Sequence, residues 1–186
     1  MPLPTRNGIK LVTQFSSLVT RDFDTDLSLK PTATVPVTDG EFFFQRTDSE
    51  MKVGRPGNAG APVAGGATVP GWCSFQERGR YDVQAIAPRG KITVLYMGPY
   101  EADFKLWDLN DSGNIDLGLA LKVDIASPAN LDNLDRGLLT RGAAGGNANG
   151  IEAGDIIFGW VTKAPSNAGN AGSVIRVYCP NTFAKF

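Results

Sequence analysis

The sequence predicts an all-β (mainly β) chain, a β-barrel or β-sandwich with one short helix, long Gly-rich loops and an extended N-terminal arm. Three observations carry this. From Ile115 to Ile125 the chain reads Ile-Asp-Leu-Gly-Leu-Ala-Leu-Lys-Val-Asp-Ile, with an aliphatic at every odd position and a small or charged residue at every even one. Side chains of a strand alternate between faces, so this period of two predicts a half-buried strand over 115–125, with Asp116, Lys122 and Asp124 on its wet face. Short apolar segments recur at steady spacing: Trp72 to Gln76, Tyr81 to Ile86, Lys91 to Met97 and Asp103 to Trp107. Segments dense in Gly, Pro, Ala and Asn lie before and after them at 54–70, 142–150 and 164–172; side chains so small build no core, and these are read as loops.

Taken in order, residues 1–30 mix isolated apolar residues (Ile9, Leu11, Val12, Phe15, Leu18, Val19) with the charged stretch 21–26, and read as an extended arm with one short strand. Residues 31–186 then form the β-rich domain. Asp39-Gly40 is a two-residue hairpin signal ahead of Phe42-Phe43-Phe44. Three consecutive phenylalanines cannot share one strand face, so at least one is buried from the opposite side or offered to a neighbouring chain. Tyr81 to Ala85 alternates cleanly, whereas Ile92-Thr-Val-Leu-Tyr-Met is apolar on both faces and reads as a central strand. Pro88-Arg89-Gly90 supplies the turn between them. Leu131, Leu134 and Leu138 share a helical face behind Ser127-Pro128, predicting a short helix over 129–139 that Gly137 weakens. Ile156 to Lys163 and Val174 to Cys179 read as a closing hairpin.

Composition restricts the chemistry. The chain of 186 residues is long enough for one domain with a real core. Lys and Arg total 18 against 19 Asp and Glu, which leaves no net field to draw the chain to nucleic acid or an anionic membrane. Its apolar runs fall far short of the roughly 20 residues of a membrane-spanning helix. The opening residues hold no apolar h-region, so the expectation is a chain made in the cytoplasm. Cys73 and Cys179 fit that compartment as reduced, buried thiols, with a disulfide as the alternative in an extracellular particle. There is no histidine, which removes Ser-His-Asp and Cys-His catalysis and His-based zinc sites. A glycosidase needs only two carboxyl groups about 5–9.5 Å apart, which Glu77, Glu101, Glu152 or several of the Asp residues could supply; nothing in their positions sets them apart from solvated charges.

Two further patterns point to binding. Asp108, Asn110, Ser112 and Asp116 occupy positions one, three, five and nine of a calcium loop, with Gly113 at the sharp turn. Leu119 stands where the bidentate Glu belongs and a strand follows, so a hairpin loop is the expected structure, with no metal and no cofactor. Phe42, Phe43, Phe44, Trp72, Trp107 and Trp160 could form an aromatic platform for sugars or bases, but core packing is the expected use of most of them. The Gly-rich segments lack Gly-Lys-Ser/Thr and a strand-to-helix setting, which argues against nucleotide binding.

Tyr81-Asp-Val-Gln-Ala-Ile, Val94-Leu-Tyr-Met-Gly-Pro-Tyr-Glu-Ala-Asp-Phe and Gly150-Ile-Glu-Ala-Gly-Asp-Ile-Ile-Phe-Gly-Trp-Val-Thr give the chain a resemblance to head decoration (cement) or minor virion structural proteins of tailed bacteriophages. The resemblance covers about half the chain and carries no diagnostic motif. It implies a non-enzymatic virion protein, a homo-oligomer with a trimer favoured, that binds the major capsid protein lattice and stabilises the head, with no nucleic acid or membrane partner. Phe15, Leu18, Phe42, Phe43 and Phe44 are then the candidate partner contacts. A tail-tube or head–tail connector protein, or a carbohydrate-binding β-sandwich module, are the alternatives.

Overall fold

The computed structural model describes residues 9–14, 17–25, 39–46, 49–54, 71–75, 91–105, 107, 115–123, 139–140, 156–166, 173–181 and 184–185. Among them the chain is all-β, with strands β1 (Ile9–Gln14), β2 (Val19–Thr25), β3 (Phe42–Arg46), β4 (Ser49–Gly54), β5 (Gly71–Cys73), β6 (Lys91–Met97), β7 (Tyr100–Phe104), β8 (Ala120–Val123), β9 (Leu139–Thr140), β10 (Ile156–Ile157), β11 (Gly159–Lys163), β12 (Ile175–Cys179) and β13 (Ala184–Lys185). They form a six-stranded sheet in the order β1-β7-β12-β11-β8-β9, a five-stranded sheet in the order β5-β3-β4-β2-β6, and the pair β10-β13.

The five-stranded sheet curls back on itself. Its two edges meet where Ser74, just past β5, bridges Val94 on β6, and the Phe75 amide donates to the Thr93 carbonyl at 2.9 Å. The concave side encloses Phe23, Phe43, Val53, Trp72, Ile92 and Val94. Its convex side supplies Phe42, Phe44, Cys73 and Leu95 to a larger core, where they meet Ile9, Tyr100, Ala102, Phe104, Val161, Leu121, Ile175 and Val177 of the six-stranded sheet. β3, β5 and β6 are thus a wall shared by two cores. This explains the triple phenylalanine: Phe43 points into the curl and its two neighbours point out of it, all three at most 2% exposed. It also explains why β6 is apolar on both faces although it is an edge in strand order.

The six-stranded sheet obeys simple alternation. β7 and β12 each read buried, half-buried, buried, half-buried, buried, with Tyr100, Ala102 and Phe104 turned inward beside Ile175, Val177 and Cys179. The expected closing hairpin is present in part, as β11 and β12, paired Trp160 to Tyr178 and Val161 to Val177, whereas Ile156 and Ile157 leave it to form β10 and pair with β13.

Several expectations are corrected. Residues 9–25 hold two strands rather than one: β1 pairs with β7 in one sheet, and β2 lies between β4 and β6 in the other. Both are tied down by burial, of Ile9 in the larger core and Phe23 in the curl. The chain crosses between sheets twice, between β1 and β2 and again at Gly98-Pro99 between β6 and β7. The crossings touch: a Cβ on Gly98 would lie 2.2 Å from the Ser17 carbonyl oxygen, and Gly98 has φ +85. The strand expected over 115–125 begins only at Ala120. Gly118 takes φ +84, the Leu119 amide closes a turn on the Asp116 carbonyl at 3.2 Å, and Leu117 swings into solvent. Of the helix expected over 129–139 only Leu139 is described, and it is a strand residue of β9; the rest lies outside the described residues, as do 1–8, 55–70, 76–90 and 142–150.

Candidate functional site

The polar groups buried deepest line the seam between the sheets. Cys73 on β5 and Cys179 on β12 are free thiols at 0% and 1% exposure, and the hydroxyl of Tyr100, at the start of β7, is the polar group beside both. Burial pushes the Cys73 thiol well above its usual range, and Cys179 reinforces this. Burial likewise pushes Cys179 up to about 12 and raises the Tyr100 phenol. A nucleophilic cysteine needs the opposite environment, one that favours the thiolate. These sulfurs act as small apolar groups bridging two sheets. Glu41 and Ser74 are also buried there; the Ser74 amide donates to the Glu41 carbonyl at 2.7 Å, fixing the strand ends that carry Cys73.

The outer face of the six-stranded sheet is polar. Arg176 clamps Asp103 at both carboxylate oxygens, at 2.7 and 3.2 Å. Glu101, two residues along the same strand face, accepts the Thr162 hydroxyl at 2.6 Å and the Thr13 hydroxyl at 3.4 Å. Trp160 and Tyr178 sit directly opposite one another on β11 and β12, half-buried, with Glu101 facing Tyr178 on β7. Of the acids weighed for glycoside chemistry Glu101 is thus part of a hydrogen-bonded surface ladder, while Glu77 and Glu152 lie outside the described residues. Among the described residues no three His, Cys, Asp or Glu side chains gather as a metal site.

The third feature is one rim of the curl. Arg21 on β2 lays its guanidinium over Phe23 at 4.8 Å and Tyr96 at 4.9 Å from the ring centroids, and donates to the Met51 sulfur at 3.6 Å. Beneath it the rings are packed together: Phe23 stacks on Trp72 at 4.9 Å, and Tyr96 leans on both at 5.8 and 5.2 Å. No carboxylate pairs with Arg21 among the described residues. Around it stand Val19, Met51 and Met97 at 51%, 52% and 57% exposure, with Val19 and Met97 direct neighbours across β2 and β6. Three of the five exposed large apolar side chains among the described residues therefore lie at the strand ends beside a single cation.

The partner contacts read from the sequence fare differently. Phe42, Phe43 and Phe44 are consumed by the two cores, and Leu18 is partly buried against the larger one, while Phe15 lies outside the described residues. Of the aromatic platform, Trp72 and Trp107 are buried and only Trp160 faces outward. Of the calcium-loop residues Asp116 is exposed, and Asp108, Asn110 and Ser112 are outside the described residues. Arg21 was hidden in sequence within the charged stretch 21–26. The alternation Arg21-Asp22-Phe23-Asp24 is the signal that marks a strand with one apolar-facing side.

No family model matches the chain, and neither a curated protein nor a solved structure does.

Proposed function

We propose that this chain is a non-enzymatic structural protein of a bacteriophage head, a decoration protein that self-associates and binds the major capsid protein lattice. The observation that carries the reading is the Arg21 rim: exposed apolar side chains are grouped beside one cation that has no carboxylate partner among the described residues, in the style of a protein-contact surface, where Met, aromatic and Arg side chains concentrate. The resemblance of 81–104 and 150–162 to decoration proteins supplies the partner class; these segments include the β6–β7 crossing and most of β11. In this reading the two packed sheets are a barrel or sandwich body that holds contact surfaces at fixed positions. An oligomer, with a trimer favoured, engages several lattice subunits at once, so each contact raises the effective concentration of the next. The protein is made in the host cytoplasm and resides in the virion.

The test is co-sedimentation of the purified chain with heads assembled from the major capsid protein encoded in the same genome. Saturable binding and heads that resist higher temperature are expected. Absence from purified particles together with no co-sedimentation overturns the reading. A carbohydrate-binding module is the second reading, favoured by the outward Trp160–Tyr178 pair beside Glu101. Glycan-array binding lost in Trp160→Ala would put it first.

A further inference from the structure

The chain carries a second exposed feature that complements the Arg21 rim. Leu117 is 73% exposed, the highest among the described large apolar residues, and the exposed carboxylate of Asp116 stands beside it. The turn that presents them is fixed from behind: the Gly118 amide donates to the Val161 carbonyl at 2.7 Å, and the Val161 amide to the Leu119 carbonyl at 2.9 Å. A left-handed Gly118 holds the bend. The result is a rigid knob with one apolar side chain and one anion, paid for by a local break in the strand.

We infer that the Asp116-Leu117 turn of one copy docks on the Arg21 rim of a second copy. Leu117 covers the apolar surface of Val19, Met51 and Met97, and the Asp116 carboxylate meets the Arg21 guanidinium, most of whose donors point to no acceptor in the described chain. Four of the five exposed large apolar side chains among the described residues are accounted for by this one contact. Stacking of Arg21 on Phe23 and Tyr96 matters here, because a pre-positioned guanidinium loses little freedom on pairing. Rim and knob are different surfaces, so the contact is heterologous; repeated, it closes into a ring or runs on as a filament. The inference rests on the self-association proposed above and names its interface.

Analytical ultracentrifugation of the full chain across micromolar concentrations tests it. Wild type should sediment as an oligomer, and Arg21→Glu and Asp116→Arg should each weaken association by at least about tenfold, as expected for charge reversal at a paired site. Equimolar mixing of the two variants, or combining both changes in one chain, should restore association, because each arrangement recreates an opposite-charge pair. Asp116→Arg lies on an exposed turn and should keep the wild-type melting temperature, so it tests the contact even if Arg21→Glu loosens the curl. Wild type that stays monomeric overturns the self-association and this contact together. An oligomer indifferent to Asp116→Arg, or variants that mixing and combination both fail to rescue, overturns this contact alone.

Discussion

Truncating the three phenylalanines of β3 one at a time tests the shared wall directly. Phe44 is fully enclosed, meets the Phe158 ring edge-on at 5.8 Å, and lies so close to the backbone of Gly71 that a Cβ there would come within 2.7 Å of its ring. Little can collapse into the space it leaves. Phe42 meets Phe158 at 5.1 Å and Phe104 at 6.2 Å, whereas Phe43 packs in the curl with Phe23, Val53 and Trp72. Phe→Ala at such sites costs about 3–5 kcal/mol, with Phe44 at the upper end. A domain of this size loses about 2–4 °C of melting temperature per kcal/mol, so each variant should melt about 6–20 °C lower by calorimetry. A double-mutant cycle sharpens the test: Phe42→Ala and Phe158→Ala should couple by about 0.5–1.5 kcal/mol, while Phe43→Ala and Phe158→Ala, in different cores, should add. A Phe→Ala variant within about 1 kcal/mol of wild type would refute the enclosure of that ring. One that instead lost partner binding at an unchanged melting temperature would return the ring to the surface, where the sequence alone allowed it to be.

Other consequences are more local. Gly118→Ala should cost about 1–2 kcal/mol, the cost of a left-handed alanine in open space, whereas Gly98→Ala adds a backbone collision with Ser17 and should cost well beyond that; equal melting temperatures for the two would contradict the touching crossings. Both thiols and the Tyr100 phenol are favoured in their neutral forms by the fold, so their contribution is complete below the ordinary thiol value of 9.0 and is lost as pH rises toward about 12; urea midpoints should hold up to about pH 9 and fall above it, and a disulfide reagent at pH 8 should find no reactive thiol before unfolding. Asp103→Ala should cost only about 1 kcal/mol despite its two-point contact with Arg176, since both side chains are partly solvated, and the cost should shrink with added salt.

Elements whose pattern depends only on their own residues were legible in the sequence. Lys91 to Met97 is a strand over that same span, and the β11–β12 hairpin stands where two apolar runs flank a small-residue segment. What failed depended on partners or on backbone sign. Gly118 fits an alternating pattern as a small outward residue, and nothing in the letters reveals that its φ is positive and ends the strand. Residues 9–25 looked like an arm because β1 and β2 are short and polar on one face, yet their pairing with β7, β4 and β6 reaches from 28 to 95 residues along the chain. The buried Cys73 and Cys179 were legible as reduced thiols, but their place beside one phenol came only from the packing of β5 against β7 and β12.

The same limit governs the site. Val19, Met51 and Met97 are no different in kind from Val53, Leu95 and Leu121, which are completely buried, so composition and period cannot say which apolar residues remain outside. The curl decides it. Strands β2, β4 and β6 reach the rim together, with β2 and β4 parallel and β6 antiparallel to β2, so the start of the first two and the end of the third expose their last apolar side chains on one end. Arg21 belongs to that end by register, in the second pair inward from the bulge that opens between Val19 and Thr20. A shift of β2 by one residue would exchange Arg21 and Phe23 for Asp22 and Asp24 on the concave side, placing carboxylates over Tyr96 and Trp72 and emptying the aromatic stack. The register that secures the Phe23 core therefore also fixes the cation at the rim, and the candidate contact surface is a consequence of the packing beneath it.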